Sequence, residues 1–148
     1  CFFRSQQEIA NLGRLKLIGK REIRRMNSGS ANCEALVKID TNFAYLNPDD
    51  AANAGLDEND WAKVNSDFGE IHIPIKITDE MMPGTLAIPQ CWGHEKADGL
   101  SHAKRHPGVN SNYLAGDGYN NIEKLSGMSH LTGILVDIEK SDRLASVS

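Results

Sequence analysis

The stretch IHIPIKI, residues 71–77, decides the fold class of this chain. Isoleucine at every second position places four β-branched side chains on one face of an extended strand, and the three remaining side chains on the other. Pro74 has no N–H group to donate to a ladder, so we expect this strand to lie at a sheet edge or to carry a bulge. The pattern predicts a half-buried strand of a mainly β domain.

Further short apolar runs, set between polar turns, predict additional strands at residues 14–18, 36–39, 61–65, 85–88 and 134–138. The sequence NPDDAANAG at residues 47–55 predicts a helix of two turns. Asn47 can accept from the first free N–H groups, Pro48 suits the first helical position, and Gly55 can end the helix in the left-handed conformation. Residues 91–130 are rich in Gly, Asn, Ser and His, and such a long irregular stretch is usually functional.

The length of 148 residues, with 40% hydrophobic and 24% charged residues, is typical of one globular domain and excludes a disordered or collagen-like chain. We therefore predict a single domain over residues 1–148, a small closed β-barrel with short connecting helices, frayed at 1–13 and 140–148. No apolar run approaches the roughly 20 residues that span a bilayer.

Cys1, Cys33 and Cys91 are odd in number and far apart, which indicates neither a disulfide framework nor a zinc site and favours a cytoplasmic location. The chain begins with Cys-Phe-Phe and not with methionine. We therefore expect a piece of a longer polypeptide, whose own N-terminus and targeting signal are absent here.

Charge is distributed unevenly along the chain. Residues 1–25 contain seven basic and two acidic residues, a net charge of +5, so that the remainder carries −9 of the total of −4. A basic leading segment on an acidic body indicates contact with a phosphate, a nucleic acid or an acidic neighbour, although a solvated charged face is the more ordinary explanation.

Several constellations suggest catalysis or metal binding and are better explained otherwise. His102 and His106 lie one helical turn apart, but the chain has no HExxH glutamate, and a polar loop facing a ligand or solvent is favoured over metal ligation. Cys91 is more typical of a packed thiol than of a nucleophile. Asp49 and Asp50 are explained by helix capping. We predict no catalytic and no metal-ligating residue.

The candidates that remain for ligand binding are polar residues of the loops, which are spread over the chain. Arginine and lysine side chains can hold phosphates, asparagine can match the donors and acceptors of a purine or pterin edge, and glycine lets backbone approach closely. Each of these asparagines could equally fix a turn.

Taken in chain order, the short motifs of this sequence resemble the C-terminal dinucleotide-binding domain of the molybdopterin oxidoreductases. That group includes formate dehydrogenases and nitrate reductases. The resemblance runs from Leu15 to Ile138. It is carried by GKR at 19–21, NPDDA at 47–51, MPG at 82–84, WGH at 92–94, GVNSN at 108–112 and SGM at 126–128. Where many members read NSWxHN, this chain has NSGSAN at 27–32.

The resemblance implies a double-psi β-barrel that covers one side of a bis-(molybdopterin guanine dinucleotide) cofactor carrying molybdenum or tungsten. It implies that the metal ligand and any iron–sulfur cluster belong to other domains of the same polypeptide, and that this chain alone is not catalytic. Carried over by position, the cofactor-binding residues would be Gly19, Lys20, Arg21, Arg24, Asn27, Ser28, Asn32, Trp92, Gly93, His94, Asn110 and Asn112.

Two other classes of function remain open at this point. A similar barrel with an NPDDA…GL segment occurs in the substrate-recognition domains of certain AAA ATPases, which are protein-interaction modules. Those modules lack the GVNxN and SGM segments, so residues 108–112 and 126–128 discriminate between the two classes. A nucleic-acid binder is the third hypothesis, and the net charge of −9 beyond residue 25 argues against it.

Overall fold

The computed structural model describes residues 13–141. Its strands are β1 (Leu15–Lys20), β2 (Ala44–Leu46), β3 (Trp61–Asn65), β4 (Glu70–Ile77), β5 (Thr85–Pro89) and β6 (Ile134–Lys140). Two short helices, α1 (Pro48–Ala54) and α2 (Ser101–Arg105), and two 3-10 turns, Ser111–Leu114 and Tyr119–Asn121, lie in the connections.

The six strands close into a barrel in the order β1-β5-β2-β4-β3-β6. The pairs β1–β5 and β2–β4 are parallel, and the other four pairs are antiparallel. The barrel closes where Leu15 of β1 lies opposite Val136 of β6. The prediction of a mainly β barrel with short connecting helices is confirmed.

The core fills the inside of the barrel with the inward side chains of all six strands. Leu46, Ile73, Ile75, Leu86 and Val136 are fully shielded from solvent. Each such side chain stabilises the fold by about 1.5–3 kcal/mol relative to an exposed one. The alternation predicted for residues 71–77 holds at Ile71, Ile73 and Ile75, which are buried, and at Lys76, which is exposed. It fails at Pro74, which is also buried, and at Ile77, which is only half-buried.

Of the two alternatives predicted at Pro74, the sheet edge is wrong, because β4 has a neighbour on both sides. The register with β3 is unbroken from Glu70 to Pro74. Ile75 donates to the Asp60 carbonyl and accepts from Asn59, so its backbone faces β3. Successive residues of a strand direct their N–H groups to opposite sides, so the nitrogen of Pro74 faces β2. Pairing with β2 begins only at Ile75 opposite Ala44, so no ladder bond is lost at Pro74.

Helix α1 forms as its sequence predicts. The Asn47 side chain accepts from the backbone N–H of Asp49 at 2.9 Å, and Gly55 ends the helix with φ at 64°. Asp50, which we assigned to capping alone, also accepts from the backbone N–H of Gly84 at 2.7 Å. The helix is thereby tied to the turn before β5.

The strand predicted at residues 36–39 is wrong. Backbone N–H groups of Leu36 and Val37 both donate to the Cys33 carbonyl, at 3.0 and 2.9 Å, which makes this segment a turn. The second strand is β2 instead, eight residues downstream at Ala44. Leu36 and Ile39 are each 42% exposed, so their apolar character serves a surface cavity and not the barrel core.

The predicted frayed ends lie mostly outside the described residues, as does Cys1. At the start of the predicted C-terminal frayed end, which the structure does describe, Lys140 is paired with Ala62. No helix between residues 13 and 141 is long and apolar enough to cross a membrane.

Candidate functional site

A cavity of about 320 Å³ opens beside the barrel, between the loop that follows β1 and the turn that follows β5. It is lined by residues 20–25, residues 36–39, Tyr45 of β2, and Trp92. Five of the lining side chains are cationic and one is acidic: Lys20, Arg21, Arg24, Arg25 and Lys38 against Glu22. None of the lining residues belongs to the barrel core. The cavity is therefore a separate, strongly positive feature.

Lys20 is held at the floor of the cavity by an aromatic ring. Its Nζ lies 3.5 Å from the ring centroid of Tyr45, and Lys76 approaches the same ring at 5.8 Å. Cations over an aromatic face are attracted by the negative charge of the ring face. Burial raises the pKa of Tyr45, and the Glu22 carboxylate raises it further, so the phenol stays neutral.

Arg25, which the sequence analysis did not select, connects the basic loop to the turn at residues 91–94. Its guanidinium carbon lies 4.0 Å from the centroid of the Trp92 ring. Its Nη2 donates to the Cys91 carbonyl at 3.1 Å and lies 3.5 Å from His94 Nε2. Burial lowers the pKa of Arg25, an effect that Glu22 partly opposes. The predicted residues Trp92 and His94 thus meet the basic segment through Arg25.

Three nitrogens of this stacked pair have no hydrogen-bond partner within residues 13–141: Nε and Nη1 of Arg25, and Nε1 of Trp92. The two side chains are 5% and 3% exposed. A buried donor without an acceptor costs about 1–3 kcal/mol. A ligand rich in acceptor oxygens, such as a phosphate ester, would supply what these donors lack. The residues therefore fit a polyanionic group.

Asn42 holds the segments around Trp92 together, and sequence reasoning missed it. Its Nδ2 donates to the carbonyls of Pro89 at 3.2 Å and Val109 at 3.0 Å, and its Oδ1 accepts from the Val109 N–H at 2.8 Å. Asn42 is fully buried. A single asparagine ahead of a three-residue strand forms no pattern by which it could be recognised.

Gly108 lets the same segment lie flat on the indole of Trp92. A Cβ at this position would stand 2.7 Å from Trp92 Cδ2, and nearer still to Cε3. Such an approach is closer than any real Cβ contact, so only glycine fits. Gly108 and Asn42 together fix the ring against which Arg25 stacks.

Gly93 and Asn110, both predicted cofactor-binding residues, lie against each other. A Cβ on Gly93 would lie 2.5 Å from the Cβ of Asn110. The Asn110 side chain accepts from the backbone N–H of Asn112 at 3.0 Å, so it begins the 3-10 turn. Asn112 and Gly19 line a second, narrow cleft of about 20 Å³, which has room for no more than one water.

The polar residues of the 27–32 loop differ in their contacts with the rest of the domain. Asn32 Oδ1 accepts from the backbone N–H groups of His102 and Ala103, at 2.9 and 3.1 Å, so it caps helix α2. Asn27, with φ at 51°, and Ser28 are exposed and line neither cavity. The geometry therefore groups Lys20, Arg21 and Arg24 with Trp92, but not with Asn27 and Ser28.

His102 of α2 and His106, which follows the last residue of the helix, fasten this helix to the segment at residues 37–40. His102 Nε2 lies 3.3 Å from the Val37 carbonyl, and His106 Nδ1 lies 2.8 Å from the Asp40 carboxylate. Their rings are 4.6 Å apart. Within residues 13–141, no group of three or more His, Cys, Asp or Glu side chains is arranged to hold a metal ion. Both histidines hold the segment that carries Val37 in place.

A closed barrel with a positive cavity beside it, lined in part by Tyr45 and Trp92, is suited to a polyanionic ligand. The comparison with known families makes the class specific: the chain belongs to the molydopterin dinucleotide binding domain family, whose model matches residues 15–130. The domain therefore binds a molybdopterin dinucleotide cofactor, and the resemblance is confirmed. The match includes the segments at 108–112 and 126–128, which the AAA ATPase modules lack.

Individual relatives agree with the family. The chain is 34% identical over 74 residues to dimethyl sulfoxide reductase DmsA of Escherichia coli (strain K12), covering 50% of this chain and 9% of that protein. It is 29% identical over 90 residues to a tetrathionate reductase polypeptide of Salmonella typhimurium, covering 60% and 9%. The structure matches acetylene hydratase from Pelobacter acetylenicus with a TM-score of 0.68 and 26% identity, covering 92% and 19%. The chain thus spans about a tenth of the length of the curated relatives it matches.

Proposed function

We propose that this domain forms one side of the binding site for a bis-(molybdopterin guanine dinucleotide) cofactor in a molybdenum or tungsten oxidoreductase. The observation that carries the proposal is the cavity in which five cationic side chains face a single carboxylate. The bound group supplies redox chemistry at its metal. This chain binds and orients it, and shields its charged part from water.

The three cations selected from the sequence take the phosphates in this proposal. Lys20, Arg21 and Arg24 all line the cavity, and guanidinium and ammonium groups form strong charge-assisted hydrogen bonds to phosphate oxygens. Beside them, Arg25 covers the ring of Trp92 at 4.0 Å and donates to the Cys91 carbonyl, which ties the basic loop to the turn at residues 91–94. As cofactor-binding residues, Trp92, Gly93, His94, Asn110, Gly19, Asn27, Ser28, Asn32 and Asn112 stay predictions from the resemblance.

The rest of the oxidoreductase is also part of the proposal. Because the matched relatives are about ten times longer than the matched region, we propose that further domains of the same polypeptide hold the metal ligand and any iron–sulfur cluster. We also propose a cytoplasmic location, which rests on the scattered cysteines of the sequence.

The double substitution of Lys20→Gln with Arg21→Gln tests the phosphate assignment. It is made in the native polypeptide that carries this domain. We expect bound metal and acid-released guanine nucleotide to fall at least about tenfold, since each charge-assisted hydrogen bond contributes about 1.5–3 kcal/mol. The matched control is Lys96→Gln with Lys124→Gln, two exposed lysines that do not line the cavity. Equal cofactor content in both double variants contradicts the assignment.

A further inference from the structure

Among residues 13–141, Glu22 is the one acidic side chain that lines the cavity. Its Oε2 lies 3.7 Å from Arg25 Nη1, within the range of an ion pair but beyond a hydrogen bond. Nη1 has no hydrogen-bond partner in the described part of the chain, while Nη2 is engaged by the Cys91 carbonyl. Arg25 therefore has a counter-charge nearby and still lacks an acceptor.

The burial of Arg25 makes this arrangement costly. Its side chain is 5% exposed and stacked on Trp92 at 4.0 Å, so water cannot hydrate it fully. A buried charge is stable only when it is both paired and hydrogen-bonded. Glu22 supplies the pairing without the hydrogen bond, whereas an oxyanion on Nη1 would supply both.

The Glu22 side chain is placed so that it can rotate away from Arg25. Its side chain is 21% exposed, and it precedes Arg25 by one turn, in which the Arg25 N–H donates to the Glu22 carbonyl at 3.1 Å. Glu22 also acts on Tyr45 across the cavity, where it helps to raise the pKa of the phenol. A rotation of the side chain toward solvent would remove the negative charge from the cavity without moving the backbone.

We propose that Glu22 is a built-in competitor, whose carboxylate occupies the place of a ligand oxyanion on Arg25 and is displaced when a phosphate group binds. This inference rests on the proposed function and concerns the regulation of the same site. The consequence is selectivity by charge. A diphosphate carries enough charge to replace one carboxylate among five cations, while a singly charged anion gains little by the exchange.

The test measures binding of inorganic pyrophosphate by calorimetry to the native polypeptide, produced without cofactor. We expect Glu22→Gln to tighten binding about fivefold, because one repulsive charge is removed within contact distance. Glu34→Gln is the matched control, since it removes the same charge from an exposed residue outside the cavity. We expect it to change the affinity less than about twofold.

Arg25→Gln added to Glu22→Gln should abolish the gain in pyrophosphate affinity, because the guanidinium that would hold the phosphate oxygen is then missing. Glu22→Ala gives the same tightening by a second route, and melting curves confirm that each variant is folded. An equal effect of Glu22→Gln and Glu34→Gln overturns the inference, as does a gain that survives the loss of Arg25. If Lys20→Gln with Arg21→Gln weakens pyrophosphate binding while Glu22→Gln changes nothing, this inference fails and the proposed function stands. If neither has an effect and the Lys20, Arg21 variant keeps its cofactor, both fail.

Discussion

Replacing Asn42 by alanine would show how strongly the segments around Trp92, which form the cavity rim, are held to the barrel. The substitution removes hydrogen bonds to the Pro89 carbonyl at 3.2 Å, to the Val109 carbonyl at 3.0 Å and from the Val109 N–H at 2.8 Å. Asn42 is fully buried and its bond to Pro89 is buried as well, while the two bonds to Val109 are part-buried.

The magnitude follows from these three backbone groups. Each one, left buried without a partner, costs about 1–3 kcal/mol. A water entering the vacated space recovers part of that cost. We therefore expect the free energy of unfolding to fall by about 4 kcal/mol, a large fraction of the 5–15 kcal/mol typical of a domain. The melting temperature should fall by about 10 °C.

Guanidinium denaturation followed by far-ultraviolet circular dichroism measures this change. The control is Asn53→Ala, an exposed position of α1, for which we expect a change of no more than about 0.7 kcal/mol. A loss below about 1 kcal/mol for Asn42→Ala would refute the reasoning, because it would mean that the Pro89 and Val109 groups find other partners.

Three further predictions concern the rim, helix α2 and acid stability. Gly108→Ala should destabilise the fold by at least about 2 kcal/mol and shift the tryptophan fluorescence, whereas Gly99→Ala, which has a positive φ without a neighbour within 4 Å, should show only the backbone strain. Asn32→Ala should cost about 1 kcal/mol through loss of the α2 cap, measured by urea denaturation, and an unchanged midpoint would contradict the capping role. The pKa of Asp60 is lowered by the hydrogen bond from Lys140 and by the Asp57 N–H, so its carboxylate stabilises the fold above the unfolded value of about 3.9. That contribution is lost as pH falls through the lower folded pKa, so the wild-type urea midpoint should drop more steeply between about pH 5 and pH 2 than that of Asp60→Asn, and parallel curves would contradict it.

Five of the six strands, all but β2, and helix α1 were predictable because their signals are local. The isoleucine alternation in residues 71–77 and the Asn47 cap depend on neighbours within a few positions. The cluster of cations at residues 20–25 was visible from charge alone, since four of the five cations that line the cavity are close in sequence, but charge alone favoured a solvated face over a ligand site. Each of these features is read from one window of the chain.

The contacts that build the rim could not be predicted because they join distant segments. Arg25 meets Cys91 and Trp92, and Asn42 meets Val109, with no repeated spacing between the partners. The error at residues 36–39 has a related cause. A short apolar run has the same pattern whether it pairs in a sheet or lines a cavity, so periodicity cannot separate the two.

The barrel core and the cavity have no residue in common, which gives the domain two levels of local stability. We expect strands β3 and β4, paired along their length, to exchange their amide hydrogens mainly through global unfolding. We expect residues 21–40, which contacts of Asn32, His102 and Arg25 hold, to open at a lower free energy while the barrel stays intact. The barrel can thus be folded before the ligand binds, and hydrogen exchange in residues 21–40 should slow when the ligand does bind.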